Sequence, residues 1–302
     1  MSASHPIRGV LPVFQTPFLE DESIDFGTLQ REVEWLYDRG ADGIVMAMVS
    51  ETLRLSSEER EQLAAAACRF GCDRGAVVIS VGAESSRLAE RYSRQAEAAG
   101  AHAVMAIPPV SVGLADDELL RYYERIIRCL NIPVIVQDAS GYVGRPMSID
   151  LQARLLKEFG DRVRYKPEAN PIGPRLTALR QATGGQAQVF EGTGGIALVE
   201  SHARGIVGTM PGAEMIDGLV ALWRALEAGD SRRVERLAPL VAIIVSLQTS
   251  LDAFLAVEKY LLRKQGIFSN EHVRGPRGYA LDDITRQQVD RWFSLLQAVL
   301  AE

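Results

Sequence analysis

AVVISVG at 76–82, SSRLAERYSRQAEAAG at 85–100 and AHAVMAI at 101–107 decide the fold. The first and third are short, almost unbroken apolar runs, the pattern of strands buried on both faces. The middle run spaces its apolar residues three and four apart and ends on Gly100, the pattern of an amphipathic helix with a glycine stop. Strand, helix, strand with no intervening hairpin signal predicts a parallel crossover. The same alternation extends outward in both directions. GVLPVFQ (9–15) precedes FGTLQREVEWLYDRG (26–40), and DGIVMAM (42–48) precedes SSEEREQLAAAACRFG (56–71). After AHAVMAI come DDELLRYYERIIRCL, IPVIVQ, SIDLQARLLKEFG, RVRYK, PRLTALRQATG, QVFEG, GGIALVESHARG, GIVGTM and MIDGLVALWRALEAG.

Eight such units predict an α/β fold closed as a (β/α)8 TIM barrel over residues 1–228. A doubly wound open sheet is the alternative, but no G-x-G-x-x-G follows the first strand. From residue 229 the pattern is helix only: SRRVERLAPLVAIIVSLQTS, LDAFLAVEKYLLRKQG and ITRQQVDRWFSLLQAVL. These predict a three-helix extension over 229–302 that packs on the barrel or on a neighbouring subunit.

The 302 residues are 47% hydrophobic and 24% charged, which allows an ample core. A net charge of −6 argues against nucleic acid or an anionic membrane as partner. No apolar run has the length of a membrane span, and MSASHPIRG at the start lacks the apolar stretch of a leader. With three cysteines there is no disulfide framework, so a cytoplasmic location is expected. His5, His102, His202 and His272 are scattered without ligand-like spacing, which predicts no metal site. Asp138, at a strand end, is the one weak candidate for holding a cation.

Four lysines stand among the 33 basic residues: Lys157, Lys166, Lys259 and Lys264. Three lie in charged, helix-patterned stretches. Lys166 closes the strand-like run RVRYK, at the end of a barrel strand where TIM-barrel active sites form. Arg cannot make an imine, because it never gives up its proton; Lys can, and apolar walls favour its neutral form. Glu168 follows two residues later. If the strand continues through Pro167, both side chains share a face, either as a simple ion pair or as a carboxylate placed beside an imine carbon. The other strand ends offer Thr16, Ser50, Glu51, Pro109, Gln137, Thr193 and Thr209 as neighbours of a ligand. Gly192-Thr193-Gly194-Gly195 reads as a tight turn or as a bed of amides beside it.

GVLPVFQTPF at 9–18, the Glu51 loop, IPP at 107–109, Lys166 and GIVGTMPG at 205–212 together resemble the dihydrodipicolinate synthase / N-acetylneuraminate lyase family. The resemblance covers essentially the whole chain. It implies a lyase that works without metal or organic cofactor, with Lys166 forming a Schiff base with a 2-keto acid. It further implies a homo-oligomer, a tetramer, and a loop after the second strand that binds the substrate carboxylate. The family's G-T-T-G-E in that loop is Ala47-Met48-Val49-Ser50-Glu51 here, so the carboxylate is expected on Ser50 and on backbone amides such as that of Val49. The family's proton-relay tyrosine aligns with Gln137, and the arginine of the synthases aligns with Tyr142. Those departures count against dihydrodipicolinate synthesis and sialic acid cleavage. Ser50-Glu51, Gln137-Asp138-Ala139 with Ser140-Gly141, and Lys166-x-Glu168 resemble instead the 2-keto-3-deoxyarabonate dehydratase branch, although that branch's Pro-Pro-Tyr is Pro-Pro-Val here.

The expectation is therefore dehydration of a 2-keto-3-deoxy sugar acid, with Lys166 as the imine lysine and Glu168 as base. Ser50, Tyr142 or water is the expected proton donor. Pyruvate-linked aldol chemistry is the alternative, and a non-catalytic 2-keto-acid-binding barrel is the alternative outside enzymology.

Overall fold

A computed structural model describes residues 5–302. The first four residues of the opening stretch, part of the leader reading above, lie outside them. Among the described residues, eight parallel strands alternate with eight helices. The strands are β1 (Gly9–Val10), β2 (Gly43–Val45), β3 (Ala76–Ser80), β4 (Ala103–Ala106), β5 (Val134–Asp138), β6 (Val163–Pro167), β7 (Phe190–Glu191) and β8 (Gly208–Thr209). The helices are α1 (Phe26–Asp38), α2 (Ser57–Gly71), α3 (Ser86–Ala98), α4 (Asp116–Arg128), α5 (Ile149–Phe159), α6 (Ile172–Ala182), α7 (Leu198–His202) and α8 (Ile216–Ala228). Three more follow: α9 (Ser231–Ser246), α10 (Leu251–Lys264) and α11 (Asp283–Leu300).

The strands run as two ladders, β2 through β6 and β7-β8-β1. Single parallel bridges, Val13 to Val45 and Tyr165 to Val189, join the ladders at both seams and close the ring. The result is a (β/α)8 barrel with a C-terminal helical extension. Regular pairing in β1 is shorter than the apolar run GVLPVFQ. Pro12 has no N–H to donate, so beyond Val10 the ladder continues as separate bonds, Leu11 N to Thr209 O (2.9 Å) and Val13 N to Pro211 O (2.7 Å). The seventh helix is also shorter than GGIALVESHARG, because Gly194 and Gly195 take positive φ.

Side-chain alternation divides the core in two. Val45, Ala76, Val78, Ala103, Met105 and Ile135 point into the barrel, where they meet Leu11, Val13, Phe190 and Met210. Their neighbours Ile44, Val77, Ile79, Val104, Val134 and Val136 point outward into the larger core beneath the helices. Helix faces match that outer layer. In α4, Leu119, Tyr122, Tyr123, Ile126 and Ile127 are buried, while acids fill the first turn and Arg125 and Arg128 the last, as the helix dipole favours. Ser56 and Glu59 form a reciprocal capping box at the start of α2. Gly229, at φ +68°, ends α8 in the left-handed conformation and turns the chain into the extension. There α9 packs on α8, and α11 packs on both. Among the described residues, no single helix is long and apolar enough to cross a membrane.

Candidate active site

The inward parity of Ile135 extends two residues to Gln137. The β5–β6 register then sets Gln137 opposite Lys166. Lys166 and, two residues on, Glu168 therefore face the barrel axis at the ends of the strands, and both are buried. The Lys166 amine donates to Glu168 Oε1 at 2.8 Å. The other oxygen, Oε2, accepts from Gln137 Nε2 at 2.8 Å. Both oxygens of one carboxylate are thus held by two neighbouring strands. Burial raises the Glu168 pKa above its ordinary value, against the opposing pull of Lys166 and Gln137. A carboxylate so placed is a stronger base than a free one.

These three residues line a cavity at the strand ends of the barrel. Val13, Ala47, Met48, Val49 and Met210 form apolar walls. Tyr142, from the loop after β5, stacks edge-on against Phe254 of α10 with centroids 5.7 Å apart. Burial raises its phenol pKa. The space exists because two strand-end residues lack side chains. A Cβ at Gly192 would stand 2.7 Å from Lys166 Cε and 2.8 Å from Glu168 Oε1. One at Gly212 would stand 2.5 Å from Glu258 Oε1.

Several expected ligand contacts are engaged elsewhere. Ser50 does not line the cavity: its hydroxyl donates to Phe14 O (2.6 Å) and accepts from Ala47 N (3.1 Å). It shapes the wall 47–49 from behind, so the expected contact with the substrate carboxylate and the proton-donor role both give way to positioning. Thr16 supports the same turn by donating to Ser50 O at 2.6 Å. Glu51 faces away from the cavity and pairs with the buried Lys259, while Arg274 N donates to it at 3.0 Å. Asp138 holds the loop after β5 through Ser140 N (3.2 Å) and Met147 N (3.0 Å), so its carboxylate serves backbone amides instead of a ligand. Thr209 donates to Glu191 Oε2 at 2.6 Å, and Thr193 N donates to Glu191 Oε1 at 2.6 Å. These bonds fix the glycine-rich turn. Thr193 itself borders an outer vestibule with Asn170, Ile196 and Gln248. Pro109 is buried and does not line the cavity. Among the described residues, no group of three or more His, Cys, Asp or Glu is arranged to hold a metal ion.

Sequence reasoning missed the wall made by α10: Leu251, Phe254 and Glu258 all line the cavity. Their spacing of three and then four residues was the available signal, since it puts one carboxylate on an otherwise apolar helical stripe. It also missed Lys259. This lysine is fully buried and donates to Thr16 O (2.8 Å) and His272 O (2.6 Å), so that one helix side chain ties α10 to two loops.

The family model described as the dihydrodipicolinate synthetase family matches residues 6–294. The chain belongs to this family. As a family member it is a lyase. It is 26% identical over 278 residues to L-2-keto-3-deoxyarabonate dehydratase of Azospirillum brasilense, a match that covers 89% of this chain and 88% of that one. It is 28% identical over 291 residues to 4-hydroxy-tetrahydrodipicolinate synthase of Cereibacter sphaeroides, covering 94% and 97%. The crystal structure of dihydrodipicolinate synthase from Rhodopseudomonas palustris superposes with a TM-score of 0.87 at 26% identity, over 96% of this chain and 97% of that one.

Proposed function

We propose that Lys166 forms an imine with the C2 carbonyl of a 2-keto-3-deoxy sugar acid and that the enzyme then removes water across C3 and C4. The observation that carries this reading is the Glu168 carboxylate, held through one oxygen by Lys166 and through the other by Gln137. The amine must lose a proton before it attacks, and Glu168 is in hydrogen-bond contact to accept it. The protonated imine inherits the lysine's positive charge, so the carboxylate keeps its partner. C3 lies next to the imine carbon, within the reach of a base that was bonded to the lysine nitrogen. The imine takes up the electron pair when the C3 proton leaves. Similarity to the Azospirillum dehydratase supports the same reading.

Retro-aldol cleavage between C3 and C4 is the second reading. It needs a base at the C4 hydroxyl, and Gln137 cannot ionise. Tyr142 is the observation in its favour, since it lines the same cavity.

Borohydride reduction in the presence of pyruvate is expected to fix a stable adduct on the peptide that carries Lys166. With 2-keto-3-deoxy pentonates or hexonates the expected product keeps its carbon count and has lost one water. Pyruvate plus a shorter aldehyde would move the enzyme to the aldolases. Absence of an adduct, or an adduct on Lys259 alone, would remove the imine.

A further inference from the structure

Dehydration requires an acid as well as a base, because hydroxide is a poor leaving group at neutral pH. Around the cavity the donors are few. Ser50 gives its hydroxyl proton to Phe14 O, Gln137 cannot ionise, and Glu168 is the base. Tyr142 is a weaker acid than free phenol, because burial opposes its ionisation.

Glu258 is different. It enters the cavity wall from α10, next to Gly212, and is 1% exposed. Its Oε2 accepts from Gln15 Nε2. Its Oε1 is buried and has no hydrogen-bond partner. That free oxygen and Glu214 Oε2, which is also unpartnered, stand 2.5 and 2.4 Å from the point that a Gly212 Cβ would occupy. An ionised, unpartnered carboxylate oxygen facing a second carboxyl in a dry site is costly. A protonated one is a hydroxyl donor with nothing yet to donate to. Burial raises the Glu258 pKa well above the carboxylate range. The Glu214 and Glu32 carboxyls add to that, and the Gln15 amide and the Lys259 ammonium oppose it.

Resting on the dehydration reading above, we propose that Glu258 is the acid of this site: its Oε1–H gives a proton to the C4 hydroxyl as that group leaves. The steps balance as follows. Glu168 takes the proton from C3, and the C3–H electron pair becomes the C2–C3 double bond of an enamine as the iminium is neutralised. That pair then moves out to form the C3–C4 double bond. The C4–O bond breaks, and the Glu258 proton completes a water molecule. The iminium is re-formed, now conjugated, and hydrolysis returns Lys166 as the amine. Glu168 ends as the acid and Glu258 as the carboxylate, and water carries the proton back between them. Two carboxyls with unlike surroundings thus take opposite roles, Glu168 bonded to a cation and Glu258 facing other acids.

The test is Glu258→Gln, which keeps shape and the contact to Gln15. It is expected to leave the borohydride adduct on Lys166 and the exchange of C3 protons with deuterated water intact, while kcat for water loss falls by about 10²-fold or more. With a substrate that carries fluoride in place of the C4 hydroxyl, whose departure needs no proton, E258Q and wild type should converge. Glu258→Asp, which keeps the acid, should recover part of the rate on the hydroxyl substrate, and it serves as the test if E258Q does not fold. Full kcat in E258Q would overturn the proposal, as would an equal loss on the fluoro substrate or an aspartate no better than glutamine. If wild-type enzyme dehydrates no 2-keto-3-deoxy acid, both readings end. If wild type dehydrates and E258Q does so at full rate, only this one ends.

Discussion

Glu168 shows how one residue is assigned its work by its neighbours. Its two oxygens are taken by Lys166 and Gln137, so its position is fixed from its own strand β6 and from the neighbouring β5. Replacing it with Gln keeps the volume but removes the base. Glu168→Gln is expected to keep slow imine formation and to cut turnover by roughly 10²–10⁴-fold, the usual worth of a general base. Single-turnover trapping set beside steady-state kcat measures the two separately. Trapping and turnover lost in equal measure would mean that Glu168 acts only by holding the lysine. This much of the site was legible in the chain, because strand parity is a local property: residues 164, 166 and 168 must share a face once RVRYK is a strand. Ser50, Glu51 and Asp138 were less legible. A polar residue at a strand end can face the ligand or brace a loop, and the choice depends on partners outside the strand's own pattern, Phe14, Lys259 and Met147.

At the scale of elements, α10 is the piece whose packing on the barrel the chain predicts but whose role at the cavity the local pattern leaves unread. VEKYLLRK reads as a charged helical stretch, yet Glu258 and Lys259 are both buried and serve different neighbours. One faces the cavity. The other pins the helix to the loops that carry Thr16, Glu51 and His272. Helix periodicity tells which residues share a stripe, but not which stripe meets a barrel mouth and which meets water. The barrel strands carried no such ambiguity, since runs like AVVIS are apolar on both faces and have only one place to go. Lys259→Met is therefore expected to strip the buried Glu51 of its nearest cation, leaving it only Arg54 at 3.9 Å and the Arg274 amide, and to cost about 3 kcal/mol of unfolding free energy, the low end for a broken buried pair. Denaturant titration measures it. A cost under about 1 kcal/mol, the value of an exposed pair, would mean that the Lys259–Glu51 contact does not hold α10 in place.

Across the whole molecule, the buried acids set how stability responds to pH. Burial raises Glu214 to about 7, with the Gln248 amide pulling the other way. Burial raises Glu32 to about 8, against the Gln15 amide and Lys259. Burial also raises Glu258, and its neighbours Glu214 and Glu32 add to that. In the unfolded chain these groups return to about 4.3. Between that value and about pH 8 the folded protein therefore binds more protons than the unfolded chain, and stability must fall as pH rises through this window. Below it the three groups contribute nothing further. There Glu59, bonded to Arg274, and Asp252, bonded to Gly278 N and Arg54, have lowered pKa values and lose stability as they protonate. The maximum should lie near pH 5, on the acid side of neutrality. Glu214 alone accounts for roughly 3 kcal/mol of the fall, by the linkage of pKa to stability. Urea midpoints measured at about pH 5.5 and about pH 8.5 should drop in that order, and Glu214→Gln should flatten the difference by removing one titrating group. Equal midpoints in the wild type would mean that these carboxyls ionise in place without penalty. The proposal that Glu258 serves as the acid would then lose the low-dielectric surroundings on which it rests.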